Sequence, residues 1–282
     1  MTRSASRLDA LTKVLPRTTS APGDLLSQSW SRWFSRGRKQ DQISPKRIGL
    51  FGLFGCGNFG NDGSLEAMLI FLRQVRPDAE IICVCAGPDQ VARDFHLAGV
   101  SIGIPKPDNT LLRMLFEGPR KLASFANAIR HSRKLDVLLV CGGGALDDFG
   151  SSPFGSPLTT FAWCLAARVC GTKLAFVSIG AGPIDHWISR WLLKSAAAMA
   201  EYRSYRDAIS KTFMASIGFE TRGDTVYPDL AFKLPVPSST RIEDQRLTVG
   251  VGVMVYQGWG NGSTQSAAVY ADYLKKITNF VL

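Results

Sequence analysis

Gly55-Cys56-Gly57-Asn58-Phe59-Gly60-Asn61-Asp62-Gly63 follows directly on the apolar run Ile48 to Phe54. A strand that feeds a glycine-rich turn and then a helix is a place to bind anions. Glycine lets the main chain approach a ligand, and the unpaired amides of the helix's first turn, at the positive end of its dipole, favour phosphate or carboxylate. Gly55, Gly57 and Gly60 even carry the G-x-G-x-x-G spacing of dinucleotide folds, but that spacing needs an acidic residue closing the second strand to hold a ribose. The second strand, read at 80–85, ends in Val84-Cys85-Ala86, with Glu80 at the wrong end. A nicotinamide cofactor is disfavoured, and no ligand cluster demands a metal.

The same device recurs twice. Strand Asp136 to Val140 runs into Cys141-Gly142-Gly143-Gly144-Ala145-Leu146-Asp147-Asp148, and strand Leu174 to Ser178 runs into Ile179-Gly180-Ala181-Gly182-Pro183. Glycines also serve plain tight turns, but three such turns in succession converge on the carboxyl edge of a parallel sheet, which is the ligand edge. Two polar points join them. Tyr205-Arg206-Asp207 stands at a strand-to-helix junction, with Asp207 suited to cap the helix and Arg206 aimed at the crevice. A guanidinium grips carboxylate or phosphate through two parallel hydrogen bonds, although a surface salt bridge is an equally ordinary use. Asp229, in Tyr227-Pro228-Asp229-Leu230-Ala231-Phe232, follows the last strand.

The elements that must position these residues alternate from residue 46 onward. Short apolar runs at 48–54, 80–85, 135–141, 173–179, 202–205 and 225–227 read as strands. Helical spacing is found at 64–75, 89–98, 111–132, 157–170, 188–200 and 207–217. This is the signature of an α/β, doubly wound parallel sheet with crossover helices, Rossmann-like, over 46–234. Pro235-Val236-Pro237-Ser238-Ser239-Thr240 continues neither element and reads as a linker over 235–246. Residues 247–282 then offer a strand at 247–255, a glycine-rich turn at 257–263 and a helix at 267–280, the start of a second domain that is incomplete on its own.

Composition sets the class. Of the 282 residues 45% are hydrophobic, enough for a substantial core, and there is no uninterrupted apolar stretch of spanning length. The net charge of +10 is uneven: residues 1–46 hold nine Lys/Arg against three Asp/Glu, a net +6. Residues 1–45 read as a flexible basic extension, and Trp30, Trp33 and Phe34 beside Arg36, Arg38 and Lys39 also suit peripheral contact with an anionic membrane face. Nothing downstream supplies a nucleic-acid-binding surface. The six cysteines form no C-x-x-C pair, and no compact apolar leader precedes the folded part, so reduced, buried thiols in a cytoplasmic protein are expected.

The motifs together resemble the polysaccharide pyruvyl transferase family. The resemblance rests on five ordered motifs: Gly55 to Glu66 with Asn58-x-Gly60-x-Asp62, Asp136 to Asp147 with its triple glycine, Ser178 to Pro183, Tyr205-Arg206-Asp207-x-x-Ser210, and Pro228 to Phe232. It covers about residues 47–234 and a little beyond. Such proteins resemble two-domain glycosyltransferases of the B type and transfer a pyruvyl group from phosphoenolpyruvate to a pair of sugar hydroxyls, forming a ketal. The resemblance implies phosphoenolpyruvate as donor substrate rather than a bound cofactor, and a saccharide or lipid-linked glycan of a cell-surface or exopolysaccharide as acceptor. Arg206 is the implied catalytic grip on the donor's carboxylate or phosphate. Gly60, Gly143, Gly144 and Gly180 would support donor or acceptor through their amides. Asn58 and Asp62 would orient sugar hydroxyls, or equally fix the turn and cap the helix, and Asp229 completes the set.

Two features depart from the family. Many members read Asn-x-Gly-Asp-Glu in the first motif, where this chain has the longer Asn58-Phe59-Gly60-Asn61-Asp62-Gly63. The family also carries part of its donor site in the second domain, including a histidine suited to proton transfer, and His96, His131 and His186 are not expected to replace it. Two rival readings stay open: a nucleotide-sugar glycosyltransferase of the same architecture, and a non-catalytic module that holds a glycan or anion without turnover.

Overall fold

Seven parallel strands form one sheet in the order β3-β2-β1-β4-β5-β6-β7: β1 Arg47–Gly52, β2 Glu80–Cys85, β3 Ala98–Ser101, β4 Val137–Cys141, β5 Lys173–Ile179, β6 Tyr202–Tyr205 and β7 Thr225–Val226. This is the doubly wound order, in which the chain grows outward one way from β1 and the other way from β4. The computed structural model describes residues 46–105, 110–235, 249–253 and 263–281. The basic extension, most of the linker and the glycine-rich turn after residue 256 lie outside the described residues. The chain divides into two units at Leu234 and Pro235.

Side chains alternate across the sheet because successive strand residues point to opposite faces. Ile48, Leu50, Cys83, Cys85, Val137, Leu139, Ala175 and Val177 pack on one face against Leu65, Met68, Leu69 and Leu72 of helix α1, Phe59–Val75, and Val91 of α2, Pro88–Phe95. Phe51, Val84, Leu138, Val140, Leu174 and Phe176 pack on the other. They meet Ala128 of α3, Thr110–Ser132, Trp163 and Cys164 of α4, Ser156–Cys170, and Leu193, Ala196 and Ala197 of α5, Trp187–Ala198. Each leucine so buried contributes roughly 1.5–3 kcal/mol. Helix α6, Ala208–Ser216, adds Met214 to the second layer.

Local chemistry sets the helix ends. His186 caps α5 by accepting from the Ile188 amide at 3.1 Å, so its imidazole serves the fold. Asp207 caps α6, accepting from the Ser210 amide at 2.6 Å. Gly171 takes φ +76° after α4 and returns its amide to Ala167 and Arg168, a left-handed helix stop.

Two readings of the sequence need correction. The helix expected over 89–98 ends at Phe95, because His96 turns left-handed with φ 54°, and Ala98–Ser101 then adds the edge strand β3 beside β2. The strand expected over 247–255 is not seen in its described part, Val249 to Val253. An apolar run becomes a strand only beside a partner that completes its ladder, and no described strand pairs with it. In the same unit the helix begins earlier than expected, at Ser263, and runs to Val281 as α7.

Strand β5 contains one irregularity. Phe176 pairs with Arg203 and Ile179 with Tyr205, so β5 spends one residue more than β6 over the same stretch. The bulge holds Ser178, fully buried with φ 51°, a left-handed conformation unusual for serine. Its amide donates to Ser204 Oγ at 2.9 Å, and its hydroxyl donates to the Pro228 carbonyl at 2.8 Å.

Candidate active site

All strands being parallel, the turns after β1, β4, β5, β6 and β7 lie along one edge of the sheet. They are bonded into a continuous rim. The Asn61 side chain reaches back from α1 to the Leu53 carbonyl at 3.2 Å, and its Oδ1 lies against Gly143. Ser64, on the next turn of α1, abuts Gly142. Gly142 and Gly143 have φ +63° and +65°, so they supply a left-handed turn that also passes close under these side chains. The Gly143 carbonyl accepts from the Gly180 amide at 2.8 Å, which joins the second turn to the third. Ser64 Oγ also approaches Asp229 Oδ1 at 3.5 Å, joining the first turn to the last.

Arg206 stands on this rim. Its guanidinium lies over Gly180 so closely that a Cβ built there would come 2.7 Å from Cζ and 2.8 Å from Nε and Nη2. It is oriented by two carboxylates, Asp207 at 3.5 Å from Nε and Asp229 at 3.7 Å from Nη1. Both separations exceed the roughly 2.7–2.9 Å of a charge-assisted hydrogen bond. Both carboxylates are already held by main-chain amides, Asp207 by Ser210 and Asp229 by Ala231 at 3.0 Å. Burial alone would raise the Asp207 carboxyl; Ser210 and Arg206 outweigh it and hold the group below the usual range. The guanidinium is thus aimed but not saturated.

A shallow cleft of about 630 Å³ opens beside it, lined by Arg206, Tyr227, Asp229 and Phe232 among others. That volume lies within the range of small-molecule sites, roughly 300–1,000 Å³. Phe232 is 83% exposed on its wall. In the turn after β4, the amides of Gly143, Gly144 and Ala145 donate to no protein group among the described residues. One cation, a row of unpaired amides and an open cleft along one rim make a site for an anionic small molecule.

The sequence profile described as polysaccharide pyruvyl transferase matches residues 58–281. The chain belongs to the polysaccharide pyruvyl transferase family. No curated protein matches it. Among solved structures it is similar to UDP-GlcNAc 2-epimerase from Methanocaldococcus jannaschii, with 15% identity and a TM-score of 0.40, over 64% of this chain and 44% of that one. It is also similar to MurG of Acinetobacter baumannii, with 15% identity and a TM-score of 0.42, over 70% and 48%. UDP-GlcNAc 2-epimerase from Neisseria meningitidis bound to UDP-GlcNAc gives 17% and 0.39, over 64% and 45%. The chain spans less than half the length of each of these proteins.

The residues singled out from sequence fall into two groups. Gly143, Gly144, Gly180, Arg206 and Asp229 stand together on the rim. Asn58, Gly60 and Asp62 build the first turn: Asn58 Oδ1 accepts from the Gly60 and Asn61 amides at 3.1 and 3.3 Å, and Asp62 Oδ1 accepts from the Gly55 amide at 2.8 Å. The Gly60 amide is therefore spent on the cap. Asn61 and Ser64, which tie the first turn to the second, are functional neighbours that the spacing does not mark.

Asp147 is the functional candidate that the spacing did not single out. Burial holds its carboxyl above the usual range; the Phe149 amide works against this, the charge of Asp148 adds to it, and Arg206 opposes it. Its neighbour Asp148 braces the loop before α5, accepting from the Asp185 and His186 amides at 3.0 and 3.1 Å. Among the described residues no group of His, Cys, Asp and Glu is arranged to hold a metal ion. Nor is any described helix long and apolar enough to cross a membrane.

Proposed function

We propose that this protein transfers the pyruvyl group of phosphoenolpyruvate to two hydroxyls of a sugar in a cell-surface or exopolysaccharide glycan, closing a ketal. Membership of the family supports pyruvyl transfer to polysaccharide. The observation that carries the reading further is the guanidinium of Arg206 laid over Gly180, oriented by two carboxylates that are themselves committed elsewhere. Arg206 takes the donor's carboxylate or phosphate, and the amides of Gly143, Gly144 and Ala145 take its other anionic end. Phe232 offers the acceptor's sugar ring an apolar wall. A lipid-linked glycan is the fitting acceptor if the basic extension of residues 1–45 meets an anionic membrane face, which places the reaction on the cytoplasmic side.

Ketal formation needs a proton delivered to the donor's methylene carbon, attack of a hydroxyl on the cationic C2, and loss of phosphate as the second hydroxyl closes the ring. Negative charge must be held both on the bound donor and on departing phosphate, which matches a rim built of amides and a guanidinium. The test is direct. Protein incubated with phosphoenolpyruvate and an acceptor glycan releases inorganic phosphate in step with a mass gain of one pyruvyl ketal. Release of a nucleoside diphosphate from a nucleotide sugar instead would replace this reading with glycosyl transfer.

A further inference from the structure

We infer that Asp147 is the acid that delivers the proton to the donor's methylene carbon. The inference rests on the pyruvyl transfer proposed above and assigns the step left open there.

Asp147 sits on a loop held firmly against the rim. Leu146, just before it, bridges to the turn after β5: its amide donates to the Gly180 carbonyl at 3.3 Å, and its carbonyl accepts from Gly182 at 3.3 Å. The carboxyl group lies over Gly144, where any side chain would collide with Oδ2, and its Cβ passes 3.5 Å from the place a Cβ on Gly182 would occupy. Glycine at 144 is what leaves room for it. Oδ1 accepts from the Phe149 amide at 3.2 Å. Among the described residues Oδ2 receives no hydrogen bond, so a proton on it can be given away.

The other carboxylates of the rim also hold main-chain amides, and Asp207 and Asp229 are in addition paired with Arg206. Asp62 holds Gly55, Asp207 caps α6 and Asp229 holds Ala231. The charged groups that face Asp147 are Asp148 from its own loop and Arg206 from the end of β6. Their effects oppose one another, and burial decides the direction. Asp147 therefore keeps its proton to higher pH than an ordinary aspartic acid, the direction a proton donor needs.

The step balances. The Oδ2–H bond of Asp147 breaks and the enol π pair forms the new C–H bond, leaving C2 as an oxocarbenium flanked by the phosphate-bearing oxygen. The first sugar hydroxyl bonds to C2, and its proton returns to the Asp147 carboxylate. The C2–O bond to phosphate then breaks, the second hydroxyl closes the ring, and its proton leaves with phosphate. No oxidant or further reactant is consumed.

Asp147→Asn keeps the shape and the bond to Phe149 but has no proton to give. In the full chain it should lower the turnover of phosphoenolpyruvate at least about a hundredfold, the usual worth of a positioned acid. Binding of phosphoenolpyruvate, measured by titration calorimetry, should stay within about threefold of wild type. Asp147→Glu should recover part of the turnover, with its alkaline limb displaced. Because the amide oxygen can keep the bond to Phe149, thermal unfolding of the Asn variant should sit close to wild type, so inactivity cannot be ascribed to unfolding. Turnover by Asp147→Asn within about threefold of an active wild type, or donor binding lost in parallel with turnover, overturns the role given to Asp147. A wild type that consumes no phosphoenolpyruvate overturns the function itself, and this inference with it.

Discussion

Gly180→Ala separates the position of the Arg206 guanidinium from its charge. The added methyl carbon would stand 2.7 Å from Cζ and 2.8 Å from Nε and Nη2. Ordinary heavy-atom contact begins near 3.5 Å, so something must yield by about 0.8 Å. The main chain of residue 180 is pinned on both sides, its amide to Gly143 at 2.8 Å and its carbonyl to Leu146 at 3.3 Å. Its φ lies outside the left-handed region, so alanine brings no backbone strain of its own. The guanidinium, at the end of a side chain 39% exposed, is the part that moves. A shift of that size breaks one of two parallel bonds to an anion, which costs about 2 kcal/mol, or roughly thirtyfold in affinity. Titration calorimetry with phosphoenolpyruvate should therefore show about thirtyfold weaker binding by Gly180→Ala. Arg206→Ala should be weaker still, and thermal unfolding of the glycine variant should sit close to wild type. Binding by either variant within about threefold of wild type would refute the argument that Arg206, held where it is, grips the donor.

Two other outcomes follow from the packing beneath the rim. The Asp224 carboxylate, 3% exposed, accepts from Arg203 Nε at 3.0 and 3.1 Å and from the Tyr205 hydroxyl at 3.3 Å, so Arg203→Ala leaves a buried charge without its cation and should cost about 3 kcal/mol in urea denaturation. Burial pushes the Cys141 thiol up to about 12, while Cys56 is exposed. Iodoacetamide at about pH 8 should therefore label Cys56 on the native protein, and peptide mapping should find Cys141 only after unfolding.

The sheet was legible because its strands are buried on both faces and read as near-continuous apolar runs. Ala98–Ser101 was not. It is short, half exposed, and preceded by Phe95-His96-Leu97, whose apolar spacing continues that of the helix before it. Only the left-handed turn at His96 breaks the period, and the residue type does not announce it. At the site, glycines and arginine could be placed because a parallel sheet puts every strand-end turn on one edge. The duties of Asn58 and Asp62 could not, since capping and ligand contact ask for the same side chains. Asp147 differs from Asp148 only in what surrounds it, one facing the rim and the other bracing a loop, and neighbours in sequence carry no signal of that.

The extra residue in β5 decides which flank of Gly180 meets the Arg206 guanidinium. Parity governs a pleated chain: one residue more or less exchanges up for down for everything beyond it. Had β5 matched β6 residue for residue past Phe176, the glycine that cradles Arg206 would present the opposite flank of its backbone to the guanidinium. The contorted serine at that point is thus the hinge pin of the crevice, a small local distortion that sets the handedness of the binding edge.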